Sequence, residues 1–252
     1  MTTTTDLERA LTAAGITAPV RWDEVTGSTN ATARELAGRG AQEWTLVAAG
    51  HQTQGHGRLG RTWHDRPGEA LMFSVVLRPV LPAQDAGLLC LLAGAAMAEA
   101  ASEASNSPIR CKWPNDLLAA DGGKVAGILL ESVVQDGALR DVVMGLGVNL
   151  SAPEGIEGAA GIGAHVDPMG LLTGFLRRFR SGYRPGDPAF GADVVRRWSA
   201  VSATLGADVE ALRADGSRTS GRATALDARG GLVIETATGP TTVVFGEVAH
   251  LQ

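Results

Sequence analysis

Between His51 and Trp63 the sequence reads His-Gln-Thr-Gln-Gly-His-Gly-Arg-Leu-Gly-Arg-Thr-Trp, the composition of a loop that meets an anion. Glycines at 55, 57 and 60 let the backbone take positive φ and turn successive N–H groups towards one point. Arg58 and Arg61 add forked donors that match phosphate oxygens. Trp63 closes the stretch with a flat apolar surface, so the ligand it fits carries both a phosphate and a ring. Gly55-x-Gly57-x-x-Gly60 formally matches the dinucleotide fingerprint, but that fold needs a helix to open at the third glycine. Arg61-Thr-Trp-His-Asp-Arg-Pro67 has no helical apolar period and ends in proline, so that reading is rejected. A glycine-rich surface loop without a ligand is the alternative these residues alone leave open. With no apolar anchor between Gly55 and Arg61, the loop is expected to be mobile until a ligand closes it.

Four further segments place polar groups beside apolar ones. Gly27-Ser28-Thr29-Asn30 precedes a helix-forming run, so Ser28 or Thr29 suits an N-cap. The hydroxyls and free N–H groups there also suit a polar ligand head. Lys112-Trp-Pro-Asn115-Asp116 sets a cation, an amide and a carboxylate at a strand end. In Gly122-Gly-Lys124-Val-Ala-Gly127 a lysine opens a buried strand, at a desolvation cost unless an anion meets it. Gly145-Leu-Gly147-Val-Asn149 has small residues where a ligand or backbone could approach. None is a Walker motif, because Lys124 lacks both the glycine five residues earlier and a following Ser or Thr. Each segment has a plainer account as well: Lys112 paired with Asp116, Gly147 at a bulge, Lys124 snorkelling to the surface.

The elements that must carry these groups follow from periodicity. Helices are expected at Leu7–Ala14, from Ala31, over Ala83–Ala104, around Leu171–Phe179 and over Pro188–Ala200. Strands are expected at Val20–Val25, Trp44–Ala49, Ala70–Leu77, Ile109–Trp113, Lys124–Val134 and Val142–Leu150, the last two paired across Gln135-Asp-Gly137. Beyond Ser202 the texture changes to short strands at Val209–Arg213, Gly221–Asp227, Leu232–Thr236 and Thr241–Val248. Asp215-Gly, Arg229-Gly-Gly and Thr238-Gly-Pro separate them, which describes a small β-barrel. The 252 residues are 44% hydrophobic with a net charge of −5, which argues against a general nucleic-acid or membrane-surface binder. No apolar run is read as a membrane span, and Met1-Thr-Thr-Thr-Thr-Asp6 is no signal peptide. Cys90 and Cys111 read as two reduced, buried thiols, which fits a cytoplasmic protein.

In this order, Gly27–Asn30, Gln52 with Gly55–Arg61 and Trp63, Lys112–Asp116, Gly123–Gly127 and Gly145–Asn149 resemble the biotin–protein ligases, also called biotin–[acetyl-CoA-carboxylase] ligases. The resemblance covers most of the chain, including a Gly246-Glu-Val248 ending. It implies an α+β fold: a mixed sheet packed with helices, class II synthetase-like, over residues 1–201, then a small SH3-like barrel over 202–252. It also implies the reaction. Biotin's carboxylate attacks the α-phosphate of ATP to give biotinyl-5′-adenylate and pyrophosphate, and a lysine ε-amine of a carrier domain then displaces AMP. ATP, Mg²⁺ and biotin are the implied small molecules. The implied partner is the biotin carboxyl carrier domain of a biotin-dependent carboxylase, with no nucleic acid or membrane, for a monomer or homodimer.

By residue-wise carry-over, Ser28, Thr29, Asn30 and Gln52 would hold the ureido end. His56, Gly57, Arg58, Gly127 and Gly145 would line the biotin site. Lys124 would bridge the biotin carboxyl and the phosphate. Arg58 and Arg61 would contact phosphates, Trp63 would flank the adenine, and Gly55, Lys112, Asn115 and Asn149 would complete the nucleotide site. Asp116 is the candidate for orienting or deprotonating the incoming lysine. No metal cage is visible in the sequence, so Mg²⁺ is expected to arrive with ATP. Two departures stand out: position 56 is histidine where the family's loop usually has arginine, and about twenty residues precede the first expected strand, too few for the winged helix-turn-helix of bifunctional members. Lipoate–protein ligases, a biotin-sensing repressor and an inactive nucleotide binder are the competing readings.

Overall fold

A computed structural model describes residues 2–213, 216–244 and 246–251. Helix α1 (Thr4–Ala13) starts in a capping box, with Thr3 and Asp6 satisfying each other's backbone N–H groups. A seven-stranded sheet follows, built from β1 (Val20–Thr26), β2 (Leu46–Gln52), β3 (Ala70–Leu77), β4 (Arg110–Lys112), β5 (Asp116–Leu118), β6 (Lys124–Gln135) and β7 (Ala138–Asn149). Its spatial order is β1-β2-β3-β7-β6-β5-β4, parallel only between β1 and β2.

Period-two alternation gives this sheet two unlike faces. Leu46, Ala48, Phe73, Val75, Leu77, Val142 and Met144 point into the main core, which they share with α1, α3 (Gly87–Ser105), α4 (Pro168–Gly182) and α5 (Phe190–Ala200). On the other face Val47, Val76 and Val143 meet Ala33 and Ala37 of α2 (Thr29–Gly38). Helix α3 is apolar all round, and residues 83–105 are long and apolar enough to cross a membrane, contrary to the expectation from sequence. Two thirds of that window is buried, however, and α3 packs against α4 and α5 as the core helix.

Strands β8 (Asp208–Arg213), β9 (Arg218–Leu226), β10 (Leu232–Thr236), β11 (Gly239–Val243) and β12 (Gly246–His250) form an antiparallel sheet in the order β11-β10-β9-β8-β12. The single strand expected over Thr241–Val248 is thus two. Among the described residues the edge strands β11 and β12 do not pair to close a barrel. The Asp215-Gly turn lies outside the described residues. Val209, Ala211, Ala223, Ile234 and Val248 join the same core cluster as the first sheet. Cys111 N–H donates to Val201 O at 2.8 Å, and Ala203 N–H donates back to Cys111 O at 2.8 Å. The buried Trp113 indole donates to Gly230 O at 2.9 Å, so the residue after β4 is tied to the turn before β10.

Candidate active site

The α2-side face of the large sheet holds two rows of residues in which glycines leave space. Register places Val47, Ser74, Gly145 and Leu129 in one row, and Ala49, Met72, Gly147 and Gly127 in the next. Asn30 of α2 lies over the first row: a Cβ at Gly145 would sit 2.0 Å from its Oδ1. The Trp63 ring lies over the second, where a Cβ at Gly147 would be 2.6 Å from it and one at Gly127 would be 3.5 Å away. Gly147 is therefore small to admit an indole and marks no bulge; the irregularities fall at Val133/Val134 and Leu117/Leu118. Between Asn30 and Trp63 opens a cavity of about 130 Å³.

Its inner wall is a polar network. Ser28 sits at the N-cap of α2 in extended conformation but makes no side-chain cap bond. Gln52 supplies the acceptor instead, taking the Thr29 N–H on Oε1 at 2.7 Å. The Thr29 hydroxyl lies 3.2 Å from the same oxygen and 2.8 Å from Ser74 Oγ. Thr29, Asn30 and Ser74 are all buried, at 4%, 6% and 0% exposure. Such burial is sustainable because each polar group is bonded.

The outer wall is the glycine loop, folded as a small hairpin. Gly57 N–H donates to Arg61 O at 2.7 Å, Trp63 N–H to Gly55 O at 2.9 Å, and Arg58–Gly60 form a 3-10 turn with Leu59 at φ 54°. No helix opens at Gly60, as the rejection of the dinucleotide reading requires. Anchorage comes from cations. Arg58 donates to Asn115 Oδ1 at 3.0 Å and to Gly246 O at 3.3 Å, while Arg61 pairs with Glu247 at 2.6 Å. His56 Nδ1 donates to Gln54 O. At the loop's base the fully buried Asp65 carboxylate takes His51 Nδ1 at 2.9 Å. The Trp63 indole N–H is buried without an acceptor among the described residues.

At the cavity's third side Lys124 Nζ pairs with Asp116 Oδ1 at 2.7 Å. Lys112 is the register partner of Asp116, yet it faces a neighbouring cleft with Arg61, Glu210, Arg218 and Glu247. Asn149 is 5% exposed and donates to Lys124 O and Ala160 O, tying the start of β6 to the segment after β7. Gly55 is buried under Trp63, where a Cβ would lie 2.7 Å from its carbonyl. So Gly55, Lys112 and Asn149 do not line the cavity, whereas Ser28, Thr29, Asn30, Gln52, His56, Gly57, Arg58, Arg61, Trp63, Asn115, Asp116, Lys124, Gly127 and Gly145 do. Sequence reasoning missed Ser74, Leu129 and Glu247. Only strand register or the docking of the second sheet brings them in. Both cysteines are free thiols, and burial pushes Cys90 up to about 12, so it is no nucleophile near neutral pH.

Residues 22–149 match the biotin/lipoate A/B protein ligase family, and residues 204–251 match the biotin protein ligase C-terminal domain. The biotin--[acetyl-CoA-carboxylase] ligase of Mycobacterium tuberculosis is 34% identical over 242 residues, covering 90% of this chain and 87% of that one. The bifunctional ligase/repressor BirA of Bacillus subtilis is 32% identical over 237 residues, covering 90% and 72% respectively. The biotin protein ligase of Aquifex aeolicus, solved with biotin and ATP, superposes with a TM-score of 0.75 at 26% identity, covering 93% of this chain and 99% of its own. With a family model spanning half the chain and a full-length relative above 30% identity, the chain belongs to the biotin/lipoate A/B protein ligase family, in its biotin protein ligase branch.

Proposed function

We propose that this enzyme, an ATP-dependent, AMP-forming biotin–[acetyl-CoA-carboxylase] ligase, carries out both steps in the cavity between Asn30 and Trp63. One observation carries the assignment of the site. A polar cradle at Thr29 and Gln52, a glycine-loop wall bearing Arg58 and Arg61, and the Lys124–Asp116 pair converge on a single cavity.

Biotin's ureido ring would sit against Thr29 and Gln52, in the space between Asn30 and the Trp63 indole. Its carboxylate then points towards Lys124. In the first step a carboxylate oxygen attacks the α-phosphorus, the bond to the pyrophosphate oxygen breaks, and negative charge grows on the leaving group. Each nearby cation is already held by an acceptor: Lys124 by Asp116, Arg58 by Asn115 and Gly246 O, Arg61 by Glu247. Donors fixed before the reaction need little reorganisation as that charge develops. In the second step the carrier lysine's amine attacks the acyl carbon, the acyl–phosphate bond breaks, and Asp116 orients or deprotonates the amine. The closed hairpin keeps water from the labile anhydride.

Among the described residues no group of three His, Cys, Asp or Glu side chains could hold a metal. The two cavity carboxylates are each paired to a cation. Mg²⁺ would come on the nucleotide's phosphates, where it would neutralise charge. The acceptor is a biotin carboxyl carrier domain, and the enzyme works in the cytoplasm. Incubation with ATP, biotin and such a domain should yield AMP in step with biotinylated carrier. Carrier labelling without AMP formation would contradict the mechanism.

A further inference from the structure

Behind the cradle runs a chain of hydrogen bonds whose direction is fixed at its far end. Glu131 on β6 receives Arg34 at 2.6 Å and the Asn30 side-chain amide, Nδ2 to Oε2, at 2.9 Å. Asn30 Nδ2 also reaches Leu129 O at 3.4 Å. A carboxylate and a carbonyl only accept, so the Asn30 NH₂ must face them and Oδ1 must face inward. Ser74 Oγ lies 2.6 Å from that Oδ1, which cannot donate, so the single Ser74 proton is spent there. Between Ser74 and Thr29, 2.8 Å apart, the donor is then Thr29. Its only other acceptor in the network is Gln52 Oε1, which also lies within the wall. Gln52 Oε1 is the more distant of the two and already takes the Thr29 N–H, so the Ser74 lone pair is what turns the Thr29 proton away from the cavity.

We infer that Glu131 and Ser74 are positioning residues that polarise this relay, so that Thr29 presents only acceptor lone pairs to the substrate and selects a ureido N–H over an isosteric ring atom that cannot donate. The inference rests on reading this cavity as the ureido site. Glu131→Gln keeps the shape but can itself donate, so only the longer contact to Leu129 O still directs the Asn30 amide, which can then reverse and the relay with it. Ser74→Ala removes the nearer acceptor of the Thr29 proton. A hydrogen bond of this kind is worth about 1 kcal/mol, or roughly fivefold.

The test is biotin-dependent exchange of pyrophosphate into ATP. Substrates are biotin and two cyclic carbamate analogues in which a ring oxygen replaces one or the other ureido N–H. Both variants should raise the biotin KM about fivefold, with kcat and the ATP KM within about twofold of wild type. Because they act on one relay, the double variant should cost less than the product of the two. Wild type should discriminate against one carbamate, and that discrimination should shrink about fivefold in each variant. A raised KM with undiminished discrimination would reduce both residues to packing and overturn the inference, as would unchanged kinetics. Should Ser74→Ala fail to fold, Glu131→Gln, on a one-third exposed side chain, decides alone. Wild type without biotin-dependent exchange would instead overturn the reading of the site.

Discussion

At the scale of single residues, catalysis depends most on where the cations stand before any ligand arrives. Lys124 opens β6 held by Asp116, so its ammonium is aimed before any ligand arrives. Lys124→Ala should therefore lower the rate of adenylate formation by about 10²–10³ while ATP binding changes far less. Single-turnover rates within threefold of wild type would make Lys124 a structural strand-end lysine. His56 is a subtler case. With Nδ1 donating to Gln54 O, the ring has only Nε2 left to turn towards a phosphate. His56→Arg offers forked, permanent donors and should slow release of biotinyl-adenylate about tenfold. Equal dissociation rates would leave His56 a spectator. Most of the residues facing the cavity were legible in the sequence, because glycine, arginine and lysine in apolar surroundings need a reason. Asn149 carried the same signal for a different reason: its amide satisfies Lys124 O and Ala160 O, a purely internal use. Ser74 was invisible, since one hydroxyl in an apolar strand gives no hint of what the register sets beside it.

At the scale of elements, the glycine loop and the strand β12 explain each other. The sequence shows no apolar anchor between Gly55 and Arg61, and the structure anchors that stretch through Arg58 and Arg61 on Gly246 O and Glu247. Glu247→Gln weakens that hold, so amides 55–62 should exchange faster in ligand-free protein, while biotinyl-adenylate should protect them in wild type and variant alike. Identical exchange in the two ligand-free proteins would show that the hairpin closes without the pair. Strand β12 also carries His250, whose Nε2 lies 3.2 Å from Thr204 Oγ1, itself the acceptor for Trp113 N–H at 3.0 Å. Burial, and then the nearby Lys112 charge, lower the His250 pKa below its ordinary value. A base depressed on folding favours the folded state in its neutral form. That stability is full above the unfolded pKa of about 6.5 and is lost as pH falls from there through the folded value. Between pH 7.5 and 5.5 the melting temperature of wild type should fall further than that of His250→Gln, and parallel curves would contradict the assignment. Periodicity located all five α-helices, but β5 escaped it because it opens just after the Pro114 stop that ends the preceding strand.

At the scale of the whole molecule, the second sheet supplies acceptors to the catalytic elements and is no mere appendage. Gly230 O takes the Trp113 indole, Thr204 takes its backbone N–H, and Gly246 O and Glu247 take the loop arginines. A change of texture near residue 202 was legible from the short strands and close turns, but these contacts were not, because nothing local encodes how two sheets dock. Helix α3 shows the same limit in reverse: its composition suits a bilayer, and only its packing under α4 and α5 gives its place as core. The central claim is that the cavity these parts enclose activates biotin with ATP. The most direct measurement is pyrophosphate release by the pure protein with ATP and Mg²⁺, in the presence of biotin or of lipoate. Release should require biotin and should not be supported by lipoate; release without biotin, or equal release with lipoate, would contradict that claim.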